Sequence, residues 1–329
     1  MTQLAQRQYH YHHYQKLRLA PWRVAALLGC CLLLLTASCQ RPDDVVVSIK
    51  TRHYTRTLAE VAQGQLTPTL QDADYQLVSD MAMLSAIVYS GVKSTNHRPD
   101  YRQDTVKYAV ERRELAQHGW QPFAFSCPLT PAKGQRILSG LVYDVWVRPG
   151  AVPLAVLVFR GTNYLEFADW VANTRPVTNW PGLWDQYEQA RALTPVLVAK
   201  LDSAYGGRER IFAAGHSLGG GLAQHASYHS PRIGKVFAFN SSPLTGYFDV
   251  AKKQRLLHGS TRRTYLVYES YEVLALFRAA PSYLDRFKKA DIVVVRYNFS
   301  TGLDSPSPFR QHQMQRLVAG LRAGGSLIP

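Results

Sequence analysis

The sequence predicts an α/β protein with a doubly wound, mostly parallel sheet and helices on both faces. Apolar strand patterns alternate with amphipathic helix patterns along much of the chain, which is typical of βαβ units. Residues 154–159 are apolar without interruption, as in a strand that helices cover on both faces. Residues 210–221 pass from an apolar run through a tight turn to a glycine-rich helical start, so a strand, a sharp turn and a helix should follow one another directly.

The first 38 residues have the pattern of an export signal. Four basic residues and no acidic residue precede the apolar stretch 24–35, which is too short to span a bilayer. Small residues then lead to Cys39, as in the lipobox of bacterial lipoproteins, where the cysteine becomes the lipidated mature N-terminus. We expect a membrane-anchored lipoprotein of the bacterial cell envelope. A plain signal peptide, an uncleaved anchor, or a cut at Cys30 or Cys31 are the alternatives.

Charge and cysteine content limit the classes of partner. Without residues 1–38 the chain keeps 34 basic and 23 acidic residues, a net charge of +11, which suits an anionic phospholipid surface. There is no dense Lys/Arg block and no recognition motif, so no nucleic-acid partner is expected. If Cys39 is acylated, Cys127 is the one cysteine left, and an intramolecular disulfide is then impossible.

The remaining chain divides into a tether at 39–71, with at most one edge strand, and one domain at 72–329 that we expect to be a monomer. The helix that opens at Asp72 places Met and Tyr residues near a 3.6-residue period, and we assign them to the core. Further helices are predicted at 106–116, 166–172, 183–205 (ended by two glycines), from the turn after 216 to 228, and 308–321. Strands are predicted at 120–125, 137–147, 154–159, 210–216, 236–239, 265–268 and 292–297.

The turn at 215–219 reads Gly-His-Ser-Leu-Gly and fits Gly-x-Ser-x-Gly, the nucleophile elbow. A side chain two residues before or after Ser217 would collide with neighbouring backbone in such a turn, so glycine is needed at both places. The following helix directs N–H groups and its positive dipole end at the same point. An ordinary glycine-rich turn is the alternative interpretation.

A serine nucleophile needs a base, and His312 is the candidate. It follows the last predicted strand and a loop, at the start of the final helix. His225 and His229 lie on the helix after the turn and are interpreted as solvated or packing residues. They are spaced like metal ligands but have no third ligand in sequence, so neither a metal nor another cofactor is expected. His258 lies in a polar, basic segment.

The acid that orients the base should follow the strand 265–268, because acid then histidine is the order after this kind of serine. Glu272 is favoured, since a loop carboxylate a few residues beyond the strand end can turn toward the base. Glu269, directly at the strand end, is the main alternative. Asp249 and Asp285 are the others.

The chain contains the motifs Val158-Phe159-Arg160-Gly161-Thr162, Asp169-Trp170, Asn173 and Gly215-His216-Ser217-Leu218-Gly219-Gly220. These motifs resemble the class 3 (fungal-type triacylglycerol) lipase family of the α/β-hydrolase superfamily, over about residues 75–322. The resemblance implies that Thr162 and the Leu218 backbone N–H bind the oxyanion. Glu272 departs from the aspartate common in that family. Asp169 is expected to cap or pin the segment after Thr162, whose aromatic residues form either an apolar flap or core.

The expected function is a serine hydrolase that cleaves carboxylic esters, with lipids (triacylglycerol or phospholipid) as substrates and an acyl-enzyme intermediate. Ser217 is the expected nucleophile, His312 the base and Glu272 the acid. The rival from another class is a non-catalytic surface lipoprotein that uses the same fold to bind lipid or protein. A nearer rival is an acyltransferase with the same residues.

Overall fold

The computed structural model of the protein contains eleven strands and five α-helices in its described residues. The strands are β1 (Asp44–Ile49), β2 (Arg52–Thr57), β3 (Gln121–Pro122), β4 (Arg136–Ile137), β5 (Tyr143–Arg148), β6 (Leu154–Phe159), β7 (Leu183–Trp184), β8 (Arg210–His216), β9 (Ile233–Phe239), β10 (Arg263–Glu269) and β11 (Asp291–Tyr297). The helices are α1 (Asp72–Ile87), α2 (Ala109–Gln117), α3 (Gln186–Tyr205), α4 (Leu218–His229) and α5 (Met314–Ser326). The described residues are 44–49, 52–57, 72–90, 108–123, 136–137, 140–161, 183–243, 245–247, 250, 262–269, 272–274, 291–297, 308 and 312–326.

Nine strands form one sheet in the order β2-β1-β11-β10-β9-β8-β6-β5-β3. The five strands β11, β10, β9, β8 and β6 pair in parallel. Antiparallel strands extend the sheet at both edges, β5 and β3 beyond β6, and β1 and β2 beyond β11. Because β6, β8 and β10 are parallel, their carboxyl ends meet at one edge of the sheet, where an α/β protein places its site.

Helices cover both faces of this sheet. On β6, Val156 and Val158 belong to an apolar cluster that includes residues of α1 and α5. Leu157 and Phe159 belong to a second cluster that includes residues of α3 and α4. Successive side chains of a strand point to opposite faces, which is why a strand covered on both sides is apolar at every position. The prediction of helices on both faces is confirmed.

Local signals set the ends of the long helix α3. The Asp185 side chain accepts hydrogen bonds from the backbone N–H groups of Tyr187 (2.9 Å) and Glu188 (3.0 Å), which is the standard role of an N-cap. Gly206 ends the helix with φ of 69°, a left-handed conformation that glycine adopts without strain. The helix predicted at 183–205 therefore begins three residues later, and its predicted end is confirmed.

The expectation of a tether at 39–71 is corrected for residues 44–57. They form the hairpin of β1 and β2, and β1 pairs with β11, so the sheet and not a linker contains them. The contacts of the chain group residues 40–329 as one unit and residues 1–39 as another. The hairpin's only sequence signal was one short valine run, whereas its partner β11 lies at the other end of the chain.

Several boundaries also move. The strand predicted at 120–125 is the short β3, and the one predicted at 137–147 is largely β5 at 143–148. The final helix begins at Met314, so His312 lies just before it. The helix predicted at 166–172 falls outside the described residues. Within the ranges given above, each helix is too short or too polar to cross a membrane.

Arg232 ties together the end of α3 and the starts of β8 and β9. Its Nη2 donates to Asp202 Oδ1 (2.7 Å), to Glu209 Oε1 (2.6 Å) and to the Gly207 carbonyl (3.1 Å). The hydrogen bond from Arg232 lowers the pKa of Asp202. Glu209 is fully buried, so it depends on this guanidinium for compensation of its charge.

Replacing Arg232 by Met should lower the free energy of unfolding by about 1–3 kcal/mol, because a buried acceptor loses its donor. Urea denaturation measures the change. Arg191→Met is the matched control, since Arg191 pairs with Glu188 on the exposed surface of α3 and should contribute under about 0.5 kcal/mol. Equal losses in the two variants would contradict a special role for Arg232.

Candidate active site

Ser217 occupies a strained turn between β8 and α4. Its φ is 57° and its ψ is −125°, a conformation that a residue with a side chain rarely adopts. Three hydrogen bonds hold the turn: Ser217 N–H donates to the Phe239 carbonyl (3.0 Å), and the Ser217 carbonyl accepts from Gly220 (3.1 Å) and Ser242 (3.0 Å). The end of β9 and the segment after it therefore hold the backbone of Ser217 in this turn.

The glycines beside Ser217 permit backbone contacts that any other residue would block. A Cβ on Gly215 would overlap the carbonyl of Gly219. A Cβ on Gly219 would overlap the carbonyl of Phe159 and lie 2.9 Å from the Gly161 nitrogen. The first turn of α4 thus lies directly against the end of β6. The structure has the strand, sharp turn and helix predicted from the sequence, for the steric reason given there.

His312 lies between Ser217 and Glu272. Its Nε2 is 3.0 Å from Ser217 Oγ, and its Nδ1 is 2.6 Å from Glu272 Oε2. All three residues are buried. A carboxylate accepts only, so Nδ1 carries the proton and Nε2 is free to accept the serine hydroxyl. The same Glu272 oxygen accepts from the backbone N–H of Leu274 (2.9 Å), which fixes the carboxylate in place.

Backbone hydrogen bonds join the segment that carries Glu272 to the segment that carries His312. The Pro308 carbonyl accepts from Val273 N–H (3.1 Å) and from His312 N–H (3.2 Å). One carbonyl therefore joins the segments that carry Glu272 and His312, so the two side chains approach each other as their loops are paired.

Glu269, the main alternative acid, ends β10 instead. Its backbone N–H donates to Asn240 Oδ1 (2.7 Å), and Asn240 N–H donates to the Val267 carbonyl (2.8 Å). Of the two glutamates, it is Glu272 whose side chain contacts His312. Asp249, Asp285 and His258 lie outside the described residues.

The structure describes one of the two residues that were predicted to bind the oxyanion. Leu218 is the first residue of α4 and is buried beside Ser217. Thr162 lies outside the described residues, as do Cys39 and residues 163–182 of the aromatic segment that follows Thr162. The structure describes the chain as far as Gly161, where a Cβ would lie 3.1 Å from Ser217 Cβ. The backbone leading to Thr162 thus passes next to the serine.

Two residues in contact with this site were not singled out from the sequence. Tyr89 Oη lies 2.9 Å from His216 Nδ1 and accepts from the Gly161 N–H (3.1 Å). His216 Nε2 lies 2.7 Å from the His312 carbonyl. The sequence placed Tyr89 in the core and His216 at a variable position of the turn motif. A tyrosine at the end of a helix carries no signal that its partner lies 127 residues away.

Burial shifts the pKa of both residues. Burial, and then the neighbouring charge of His312, hold the pKa of His216 well below 6.5, while its hydrogen bond to the His312 carbonyl acts the other way. Burial raises the pKa of Tyr89. His216 is therefore neutral near pH 7. Because the unfolded chain protonates the His216 side chain more readily than the folded protein does, the contribution of His216 to the free energy of unfolding increases with pH up to about 6.5.

His225 packs in the interior and is not solvated. It is buried on α4, its Nδ1 lies 3.2 Å from the Thr245 carbonyl, and its ring meets that of Tyr187 edge-on at 5.2 Å. Across the described ranges, no three His, Cys, Asp or Glu residues are grouped as a metal site requires.

A family model described as phospholipase-like, with a Tle-like phospholipase domain, matches residues 80–273, more than half of the chain. The chain belongs to this phospholipase-like family. Its fold is that of the α/β-hydrolases, which have this parallel sheet, nucleophile turn and order of residues. The matched range contains Ser217 and Glu272 and ends before His312.

The proteins that this phospholipase-like chain resembles include one named as a phospholipase and two named as lipases. It is 30% identical over 160 residues to an extracellular phospholipase A1 of Serratia liquefaciens, and the match covers 46% of each chain, so it spans less than half of that relative. Solved structures include lipase II from Rhizopus niveus (16% identity, 64% of this chain and 76% of that one, TM-score 0.40) and M37 lipase (17% identity, 76% and 79%, TM-score 0.39). The narrower class 3 assignment stays a prediction.

Gly219→Ala should destabilise the phospholipase-like domain by more than about 2 kcal/mol, because the added methyl group overlaps backbone that cannot rotate away. Thermal unfolding and soluble yield measure the effect. Gly234→Ala is the control, since Gly234 in β9 has open space at its Cβ position and should change stability by less than about 1 kcal/mol. A Gly219→Ala protein as stable as the control would refute the close contact of α4 with β6.

Proposed function

We propose that this protein is a serine hydrolase that cleaves the carboxylic esters of lipids through an acyl-enzyme. One observation carries the proposal: His312 contacts Ser217 Oγ at 3.0 Å on one side and Glu272 Oε2 at 2.6 Å on the other. The contacts are sheltered from water, where such hydrogen bonds are stronger. A protein that only binds lipid has no need of this arrangement on a strained turn.

Acylation follows from the assignment of the protons. Ser217 Oγ attacks the ester carbonyl carbon while its proton moves to His312 Nε2. Glu272 Oε2 keeps the Nδ1 proton in place and stabilises the imidazolium that forms. His312 then gives its new proton to the oxygen of the departing alcohol, and the C–O bond breaks. Water enters, loses a proton to His312, and releases the fatty acid from Ser217 in the same way.

The oxyanion of each tetrahedral intermediate is proposed to lie at the start of α4. The Leu218 N–H is there, the glycine-rich first turn supplies a positive helix end, and the chain leaving β6 would bring Thr162 to the opposite side. Removing one preorganised donor of this kind raises the free energy of the transition state by about 3–4 kcal/mol.

Phospholipid acyl esters are the proposed substrates, and triacylglycerol is the alternative substrate. The family and the phospholipase A1 relative support the first. The net charge of +11 that remains without residues 1–38 also favours anionic lipid surfaces over neutral droplets. We propose that the protein acts on them as a monomer and without a cofactor.

Ser217→Ala should reduce ester turnover by at least about 1,000-fold. The assay uses anionic phospholipid vesicles, a triacylglycerol emulsion and a soluble chromogenic ester, with fluorophosphonate labelling as a second readout. Glu272→Gln should reduce turnover by about 100-fold or more, because the imidazole loses its orienting charge. This loss of turnover should be larger than the loss caused by Glu269→Gln.

Ser227→Ala is the control for Ser217→Ala. Ser227 is also buried on α4 and its hydroxyl donates to the Gln224 carbonyl (2.6 Å), so the variant should keep activity within about twofold. A parent protein that turns over none of these esters and takes up no fluorophosphonate would overturn the proposed function in favour of a binding protein. Transfer of the acyl group to an added alcohol at the expense of hydrolysis would indicate an acyltransferase.

We propose further that the protein is exported and anchored through a lipid on Cys39. The support is the signal-like sequence before it, the small residues beside it and the basic charge of the chain. Labelled palmitate supplied to the producing bacterium should enter the parent and a Cys127→Ser variant, and should be absent from Cys39→Ser. Label retained in Cys39→Ser would reject this anchor.

A further inference from the structure

We propose that Tyr89 and His216 are positioning residues: together they hold the main chain of His312 at a set distance from the backbone that enters the oxyanion side of the site. The inference rests on the proposed function, since it concerns how the same site is assembled. It assigns a role to two polar side chains that neither the nucleophile nor its proton transfer uses.

The direction of each hydrogen bond follows from what the partners can donate. The His312 carbonyl only accepts, so His216 Nε2 carries the proton at this 2.7 Å contact. In the neutral ring Nδ1 then accepts, and the donor at 2.9 Å is the Tyr89 hydroxyl. The lone pairs of Tyr89 Oη remain for the Gly161 N–H at 3.1 Å. A single directed chain thus runs from Gly161 through Tyr89 and His216 to His312.

This chain of hydrogen bonds reaches His312 at its main-chain carbonyl. The imidazole is held by Ser217 and Glu272, and the His312 N–H is held by Pro308. His216 holds the carbonyl. Loss of that donor would remove a restraint on the peptide after His312, and a shift of this peptide would displace the imidazole.

Steric contact supports the other end of the chain. A Cβ on Gly161 would lie 2.5 Å from Tyr89 Oη and 2.5 Å from the His216 carbonyl. The backbone before Thr162 therefore rests directly on the pair. Tyr89 and His216 thus connect the backbone at the end of β6 to His312. Ser217 contacts both of these parts of the site.

The neutral state of His216 also serves the reaction. Its ring centre lies 4.8 Å from that of His312, close enough for a charge on one to oppose a charge on the other. His312 must become positively charged when it takes the serine proton. A histidine that donates through Nε2 and accepts through Nδ1 from a tyrosine provides the hydrogen bond without adding a second positive charge.

Four variants test the pair on a soluble chromogenic ester. Tyr89→Phe and His216→Phe should each lower kcat by about 10- to 100-fold, the range for a small misplacement of reacting groups, with KM changed by less than about threefold. His216→Gln places an N–H near the former Nε2, so it should recover part of the kcat that His216→Phe loses. Tyr89→Phe combined with His216→Phe should lose little more than His216→Phe alone, since both break one chain.

Two controls separate positioning from general stability. Tyr75→Phe removes a buried hydroxyl that donates from α1 to the Leu321 carbonyl (2.6 Å), far along the helix from Tyr89. His225→Phe replaces a buried histidine of α4 away from Ser217. Both should lower the melting temperature and leave kcat within about twofold, with rates normalised to the fraction folded by circular dichroism.

The outcomes separate this inference from the proposed function. An inactive, unlabelled parent overturns both. An active parent in which Tyr89→Phe keeps the kcat of Tyr75→Phe, or in which His216→Gln and His216→Phe are equally impaired, overturns the positioning role alone. A loss confined to KM, or explained fully by unfolding, does the same.

Discussion

The first turn of α4 lies against the end of β6 at a separation that glycine alone permits, and the site depends on this contact. Gly219 meets the backbone of Phe159 and Gly161, while Gly215 meets Gly219 itself. The contact forces Ser217 into its positive-φ turn and lifts its hydroxyl to the carboxyl edge of the sheet. A conformation of this kind costs about 1–3 kcal/mol and persists because its surroundings determine it.

The surroundings that determine it are backbone hydrogen bonds between the ends of neighbouring parallel strands. Phe239 at the end of β9 and Ser242 just beyond it hold the serine peptide. Asn240 aligns the end of β10, and Pro308 joins the loops that carry acid and base. Tyr89 and His216 add side-chain bonds across the same edge. These hydrogen bonds join buried polar groups of separate segments, so the network favours one arrangement over others.

This organisation explains why the reaction class is easier to infer than the substrate. The proposed nucleophile, base and acid meet requirements that serine ester hydrolases share, and those requirements restrict residue type and order. Head-group and acyl-chain recognition depends on side chains that line the substrate's path. Residue type and spacing restrict these side chains much less. Motifs that resemble those of class 3 lipases therefore occur in a chain that belongs to a Tle-like phospholipase family.

The sequence by itself determined the elements whose causes are local. The apolar run of β6, the Gly206 end of α3, and the glycines around Ser217 each act on backbone within a few residues, so a pattern reveals them. The order of serine, acid and histidine likewise follows from chain topology.

Only the tertiary structure decided what depends on distant partners. It selected Glu272 over Glu269 as the carboxylate at His312, because the loop joined to Pro308 turns one glutamate toward the base while Asn240 holds the backbone of the other at the strand end. It also placed Tyr89 beside His216 and moved residues 44–57 from a tether into the sheet. These pairings arise when separate parts of the chain pack together, and no local residue pattern encodes them.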